Sequence, residues 1–126
     1  MPQTLEQIAT ELEVTIDQLP EELSSKVLQW THTLCESLEK NYQLRYPDSN
    51  TSVTFTMKSG KKYIKVIQDH NSVHAFVDKN TGEVYKPASW KSPAKHVRYD
   101  MRIINQREKL HDPRFTDWAG GYLYLR

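Results

Sequence analysis

The side chains best suited to chemistry in this chain are Lys86, Trp90, Lys91, Lys95, Arg98 and Arg102, in a stretch interleaved with Tyr85, His96 and Tyr99 and punctuated by Pro87 and Pro93. Ammonium groups supply charge for a phosphate, guanidinium groups grip one bidentately, and an indole or phenol ring gives a base a face to stack on. Such a set binds anions and contains no bond-making group. The two prolines restrict the loop, so its side chains are held in fixed geometry at low entropic cost. The same residues also suit a solvated basic edge in which Trp90 is a staple holding the loop down, and the sequence leaves Trp90 open between inside and outside. If Lys95 to Leu110 is helical, Arg98 and Arg102 share one side of it.

Other constellations are weaker. His70, His74 and Asp78 recur every fourth residue, which on a helix would set two imidazoles and a carboxylate on one face, as zinc sites often require. Here they fall on a turn and the strand after it, where His74 and Asp78 share a face and His70 does not. Cross-strand packing and a turn-capping carboxylate are the simpler roles. Cys35 is the single cysteine, so no intrachain disulfide or thiolate cluster is available, and its helix-periodic neighbours point to a buried structural thiol. Gly-X-Ser-X-Gly, Walker and Gly-X-Gly-X-X-Gly patterns are absent. The run Leu5 to Leu19 has the cadence of a helix-turn-helix, yet the residues that would read DNA include Asp17, Glu21 and Glu22 and no base, so they would repel phosphate.

The chain that must hold these side chains is 126 residues long, enough for one modest core. Its mean hydropathy of −0.74 and the lack of any apolar run near the roughly 18 residues that span a bilayer argue against a membrane span. The N-terminus lacks the basic start and apolar stretch of a signal peptide, which points to the cytosol. The net charge of +1 conceals a split: residues 1–50 hold three basic and nine acidic residues, a net of −6, and the remainder fourteen and seven, a net of +7. Such a split fits an anion-binding face on the second half, or halves that pack on each other or on another subunit.

Thr4-Leu5-Glu6-Gln7 has the form of a capping box and predicts a helix over Leu5 to Glu13. Pro20 suits a first helical position, Glu21 and Glu22 suit the positive end of the dipole, and Leu23, Val27, Trp30, Leu34, Leu38 and Tyr42 form one stripe ending before Pro47. From Asn50 the period becomes two: Val53, Phe55 and Met57 alternate with Thr54, Thr56 and Lys58, Ser59-Gly60 breaks the run, and strands follow over Lys62 to Ile67, Val73 to Asp78 and Glu83 to Lys86. Lys95 to Leu110 reads as a weak helix or irregular cover, and Tyr122 to Leu125 as a terminal strand closing the sheet. The fold expected is α+β: an N-terminal helical hairpin packed on a small antiparallel sheet of four to five strands, with an irregular C-terminal cover. One domain is expected, 1–46 helical and acidic and 50–126 sheet and basic loop.

The run from Val73 to Arg98, above all Lys86-Pro87-Ala88-Ser89-Trp90-Lys91-Ser92-Pro93-Ala94-Lys95, resembles a group of small uncharacterised proteins of tailed bacteriophages. In them a strand-turn-strand leads into an Ala-Ser-Trp-Lys-X-Pro-Ala-Lys loop and an arginine, and the chain ends in Tyr-Leu. The likeness covers Gly60 to Arg126 and leaves the acidic half outside; it departs at Arg98-Tyr99-Asp100, where the group often has an Arg-Gly-Asn-like turn. The resemblance implies an origin, hence the host cytoplasm or the virion, and no activity. The expectation is a non-enzymatic module that binds nucleic acid or nucleotide at the loop, with no cofactor, no metal and no membrane. The alternative is a virion component or an inhibitor of a host protein, acting by protein–protein contact and prone to homo-oligomerise.

Overall fold

A 27-residue helix, α1 (Leu19–Arg45), opens the part of the chain that the computed structural model describes, residues 19–124. Its apolar stripe is the one the spacing predicts: Leu23, Val27, Leu34, Cys35 and Leu38 are buried, while Trp30 and Tyr42 flank the stripe half-buried. Glu21 and Glu22 occupy the first turn and Arg45 the last, matching the helix dipole at both ends. Three polar residues share the buried side, each with a partner. Thr31 Oγ1 donates to the Val27 carbonyl at 2.7 Å, Ser37 pairs with Thr116 at 2.9 Å, and Asn41 bonds the segment that covers the helix's C-terminal half.

Five antiparallel strands follow as a meander in the order of the chain: β1 (Phe55–Ser59), β2 (Tyr63–Gln68), β3 (Ser72–Asp78), β4 (Glu83–Tyr85) and β5 (Tyr99–Asp100). Alternation gives the sheet two faces. Ile64, Val66, Ala75, Val77 and Val84 point at α1 and form one core with Leu23, Val27, Leu34, Leu38, Phe55, Met101, Leu110 and Leu123. Fully burying a side chain of this kind contributes about 1.5–3 kcal/mol, so this face carries the fold. The opposite face presents Lys58, Tyr63, Lys65, Phe76 and Tyr85, and there Phe76 is only 1% exposed.

Two turns fix the meander. Asp69 and His70, in the three-residue connection between β2 and β3, both have positive φ (51° and 66°), and Asn71 N–H closes the turn onto Gln68 O at 3.2 Å. At Gly82 φ is +80°, and a Cβ would meet Met101 Cβ at 3.1 Å and Val27 Cγ2 at 3.4 Å. Glycine there satisfies both the left-handed backbone and the close approach of β4 to α1.

The molecule is α+β as expected, with two corrections in its second half. The fifth strand is Tyr99–Asp100, and the described part of the expected terminal strand, Tyr122 to Tyr124, does not pair; Gly120, at φ 87°, turns the chain into a single 3₁₀ turn over Gly121–Leu123 that inserts Leu123 into the core, and Leu125 lies outside the described residues. Four residues of alternating Tyr and Leu fit a strand or a turn equally well, and the edge beside β4 is already occupied. The stretch Lys95 to Leu110 is neither one helix nor wholly irregular: it holds β5 and then the short α2 (Ile104–Leu110). Arg98 and Arg102 therefore do not share a helix side. The predicted helix Leu5 to Glu13, and with it the first arm of the helical hairpin and most of the helix-turn-helix reading, lies outside the described residues.

Candidate anion-binding site

Lysines gather on the outer face of the β1–β2 hairpin. Lys58 and Lys65 are directly opposite each other in the register, and Lys61 and Lys62 lie in the connection between the strands. With Lys91 from the loop after β4 they line a groove of about 230 Å³ whose remaining wall includes Ser59, Gly60, Tyr63 and Phe76 and no carboxylate. Among the described residues none of the five forms an ion pair. Like charges facing each other across an antiparallel pair destabilise it, so the Lys58–Lys65 pairing runs against what folding alone favours. Lysine on the edge strand β1 also guards against edge-to-edge association. That role asks for one or two lysines, not for five around one concavity.

The aromatic side of the groove is built in layers. Tyr63 packs edge-on against Phe76 at 5.8 Å and Tyr85 at 6.1 Å between centroids, which seals Phe76 beneath. Lys65 Nζ lies 6.0 Å from the Phe76 centroid and 4.6 Å from that of Trp90, so its ammonium is held between groove and loop. Trp90 itself is 44% exposed, which settles its position as outside, resting on Lys65. The loop is closed by backbone bonds: Ala94 N–H donates to Lys86 O at 2.7 Å, Ala88 and Ser89 N–H both donate to Ser92 O, and Pro87 and Pro93 form a bridge.

Of the residues expected to form one site, only Lys91 lines this groove, with Trp90 beside it against Lys65. Lys86 lines a different cleft with His74 and Tyr124, its Nζ 4.7 Å from the Tyr124 ring centre. Lys95 is exposed. Arg98 holds backbone together, its Nε donating to Leu123 O at 2.6 Å and its Nη1 to Lys95 O and His96 O at 2.7 and 2.6 Å. Arg102 forks onto Asp100 at 3.0 and 2.7 Å, and that bond raises its pKa further. Lys58, Lys61, Lys62, Lys65 and Tyr63, which line the groove, were not among the residues singled out in the sequence. Their signal was present in the hairpin pattern, because Lys58 and Lys65 alternate out of phase with the apolar Met57, Ile64 and Val66.

Residues 14–125 match the family of unknown function DUF7717. The chain belongs to DUF7717. The match takes in α1, all five strands and α2, so the helix and the sheet belong to one family unit. No curated protein and no solved structure matches the chain. Among the described residues no helix is long and apolar enough to cross a membrane.

The histidines of this DUF7717 chain do not meet on a metal. His70 is in the β2–β3 turn, and Asp78 caps the β3–β4 turn by accepting Asn80 N–H at 2.9 Å. His74 is at the irregularity where the β2–β3 register slips, and it turns into the core to pack edge-on against Phe55 at 5.2 Å. The expected shared face for His74 and Asp78 is thereby broken, since a bulge resets the alternation. Burial lowers the His74 pKa to about 4 despite the opposing charge of Asp117. Burial holds the Tyr122 phenol well above its ordinary value, so it keeps the proton that it can donate to His74 Nε2 at 2.8 Å. Among the described residues no three His, Cys, Asp or Glu side chains are placed to hold a metal. Cys35 is 3% exposed and burial pushes its thiol up to about 12, which leaves it unreactive.

Proposed function

We propose that this protein is a binding module for a phosphate-bearing anion, held in the lysine groove on the outer face of the β1–β2 hairpin. One observation carries the reading: Lys58, Lys61, Lys62, Lys65 and Lys91 surround a single concavity without a compensating carboxylate. An unneutralised cluster of that kind repels itself and is stabilised by a ligand that brings negative charge. Compared with the sequence expectation the ligand class is kept and the site moves, from the arginines after the loop to the hairpin beside it. Arg98 and Arg102 serve the fold.

The test is charge reversal at Lys62 and Lys65 with inorganic tripolyphosphate and a single-stranded oligonucleotide as probes. Each exposed cation contributes about 0.5–1 kcal/mol to such binding, so removing one weakens it about two- to fivefold, and reversing two abolishes it at physiological salt. Circular dichroism should be unchanged, because both side chains lie on the solvent side of the sheet. Undiminished binding in the doubly reversed protein, or failure of the parent protein to bind either probe at low salt, overturns the proposal.

A further inference from the structure

Three further observations narrow the ligand, given the reading above that the groove takes phosphate. Beside the groove lies a second recess of about 300 Å³, lined by Asn71, Val73, Pro87, Ala88, Ser89 and Trp90 and by no charged side chain. Trp90 links the two, since Lys65 of the groove rests over its ring at 4.6 Å and Lys91 of the groove is its neighbour in the chain. The same sheet face then changes sign. Beyond Tyr63 and Tyr85 it carries Asp78 and Glu83, with Asp100 already paired to Arg102, at the β3–β5 end, and burial together with the neighbouring charges, Glu83 foremost, holds the Tyr85 phenol above its ordinary value.

From this arrangement we infer that the ligand is a nucleotide bearing a short polyphosphate chain, its phosphates among the groove lysines and its base against Trp90, and not a nucleic-acid strand. A compact polyphosphate places several negative charges in one concavity, which is what converging lysines match. A strand spaces its phosphates along a path, and a path across this sheet meets the carboxylates after leaving the groove. The uncharged recess suits a base and sugar, with the indole offering a stacking surface and Asn71 and Ser89 offering polar contacts at its wall. The closed loop holds Trp90 in place before the ligand arrives, which lowers the entropic cost of binding.

The experiment titrates the protein, without divalent cations, with adenosine monophosphate, adenosine triphosphate, inorganic tripolyphosphate and single-stranded oligonucleotides of increasing length. The expected result is that the triphosphate binds about tenfold or more tighter than the monophosphate. It also binds tighter than any short oligonucleotide. Trp90→Ala should weaken adenosine triphosphate about tenfold, the loss expected for one base–aromatic stack, and leave tripolyphosphate unchanged, while Trp90→Phe should restore most of the loss. Affinity that climbs with oligonucleotide length past that of the triphosphate overturns the nucleotide assignment but leaves the groove standing. So does triphosphate binding indifferent to Trp90→Ala in a variant that keeps its circular dichroism. Absence of binding by every probe overturns the groove itself.

Discussion

His74 shows how one side chain can look catalytic in sequence and be structural in the fold. Its imidazole is buried between Phe55 and Tyr122 and stays neutral, with the folded-state pKa lowered to about 4. The unfolded chain takes up the proton near pH 6.5, so between those values the unfolded state binds more protons and stability falls as the pH drops. The full effect is on the order of 3 kcal/mol, complete by about pH 4, and burial of His111 adds to it in the same direction. Urea denaturation from pH 7 to pH 4.5 should show this loss in the parent protein and a flatter profile in His74→Gln. A profile as steep in the variant would remove His74 as the cause.

Asn41 and His70 also act on stability one residue at a time. Asn41 is 3% exposed, donating to Pro113 O at 2.8 Å and accepting from Trp118 N–H at 3.0 Å. Asn41→Ala leaves both backbone groups without their partner and should cost about 1–3 kcal/mol in chemical denaturation. Conversely His70, at φ 66°, carries the penalty of a left-handed backbone. His70→Gly should stabilise by about 1 kcal/mol, seen as a rise of a few degrees in Tm. An unchanged or lowered Tm would mean that the His70 side chain contributes more than its backbone costs.

At the scale of elements, runs with a clear apolar period or a turn beside them were legible, and the two-residue β5 was not. α1 and the first four strands follow from a stripe of period near 3.6 and from alternation broken at Ser59-Gly60, Asp69-His70 and Gly82, because burial on one face leaves a pattern that local composition cannot hide. β5 spans two residues, Tyr99–Asp100, and takes its place by pairing with β4 and by bonds to Gln106 and Tyr122 later in the chain, so no local signal announces it. The candidate site was half legible for a related reason. Trp90 and Lys91 stood out as a cluster in sequence, whereas Lys58, Lys61, Lys62 and Lys65 join them only once β1 and β2 pair. Arg98 looked like a ligand group because its reach to the Leu123, Lys95 and His96 carbonyls cannot be read from spacing. Arg98→Gln should therefore destabilise the fold by roughly 1–3 kcal/mol in urea denaturation, while Lys91→Gln, whose parent side chain is exposed, should not.

Over the whole molecule the sheet separates two surfaces, with α1 on one face and the lysine groove on the other. The charge split of the sequence is not carried by α1, which has four acidic and three basic residues. Most of the acidic excess of residues 1–50 belongs to Glu6, Glu11, Glu13 and Asp17, outside the described residues. The basic excess of the second half, by contrast, is concentrated: five of its fourteen basic residues surround one groove. That concentration, on a chain whose net charge is only +1, is the basis for proposing a phosphate-bearing ligand for this face.

The most direct measurement is to follow backbone amide and Trp90 indole resonances while inorganic tripolyphosphate is added at low salt. The groove assignment predicts shifts confined to Lys58, Lys61, Lys62, Tyr63, Lys65, Trp90 and Lys91 and reversed by added salt. Shifts centred on Lys86, Lys95, Arg98 and Arg102, or spread evenly over exposed lysines, would contradict it.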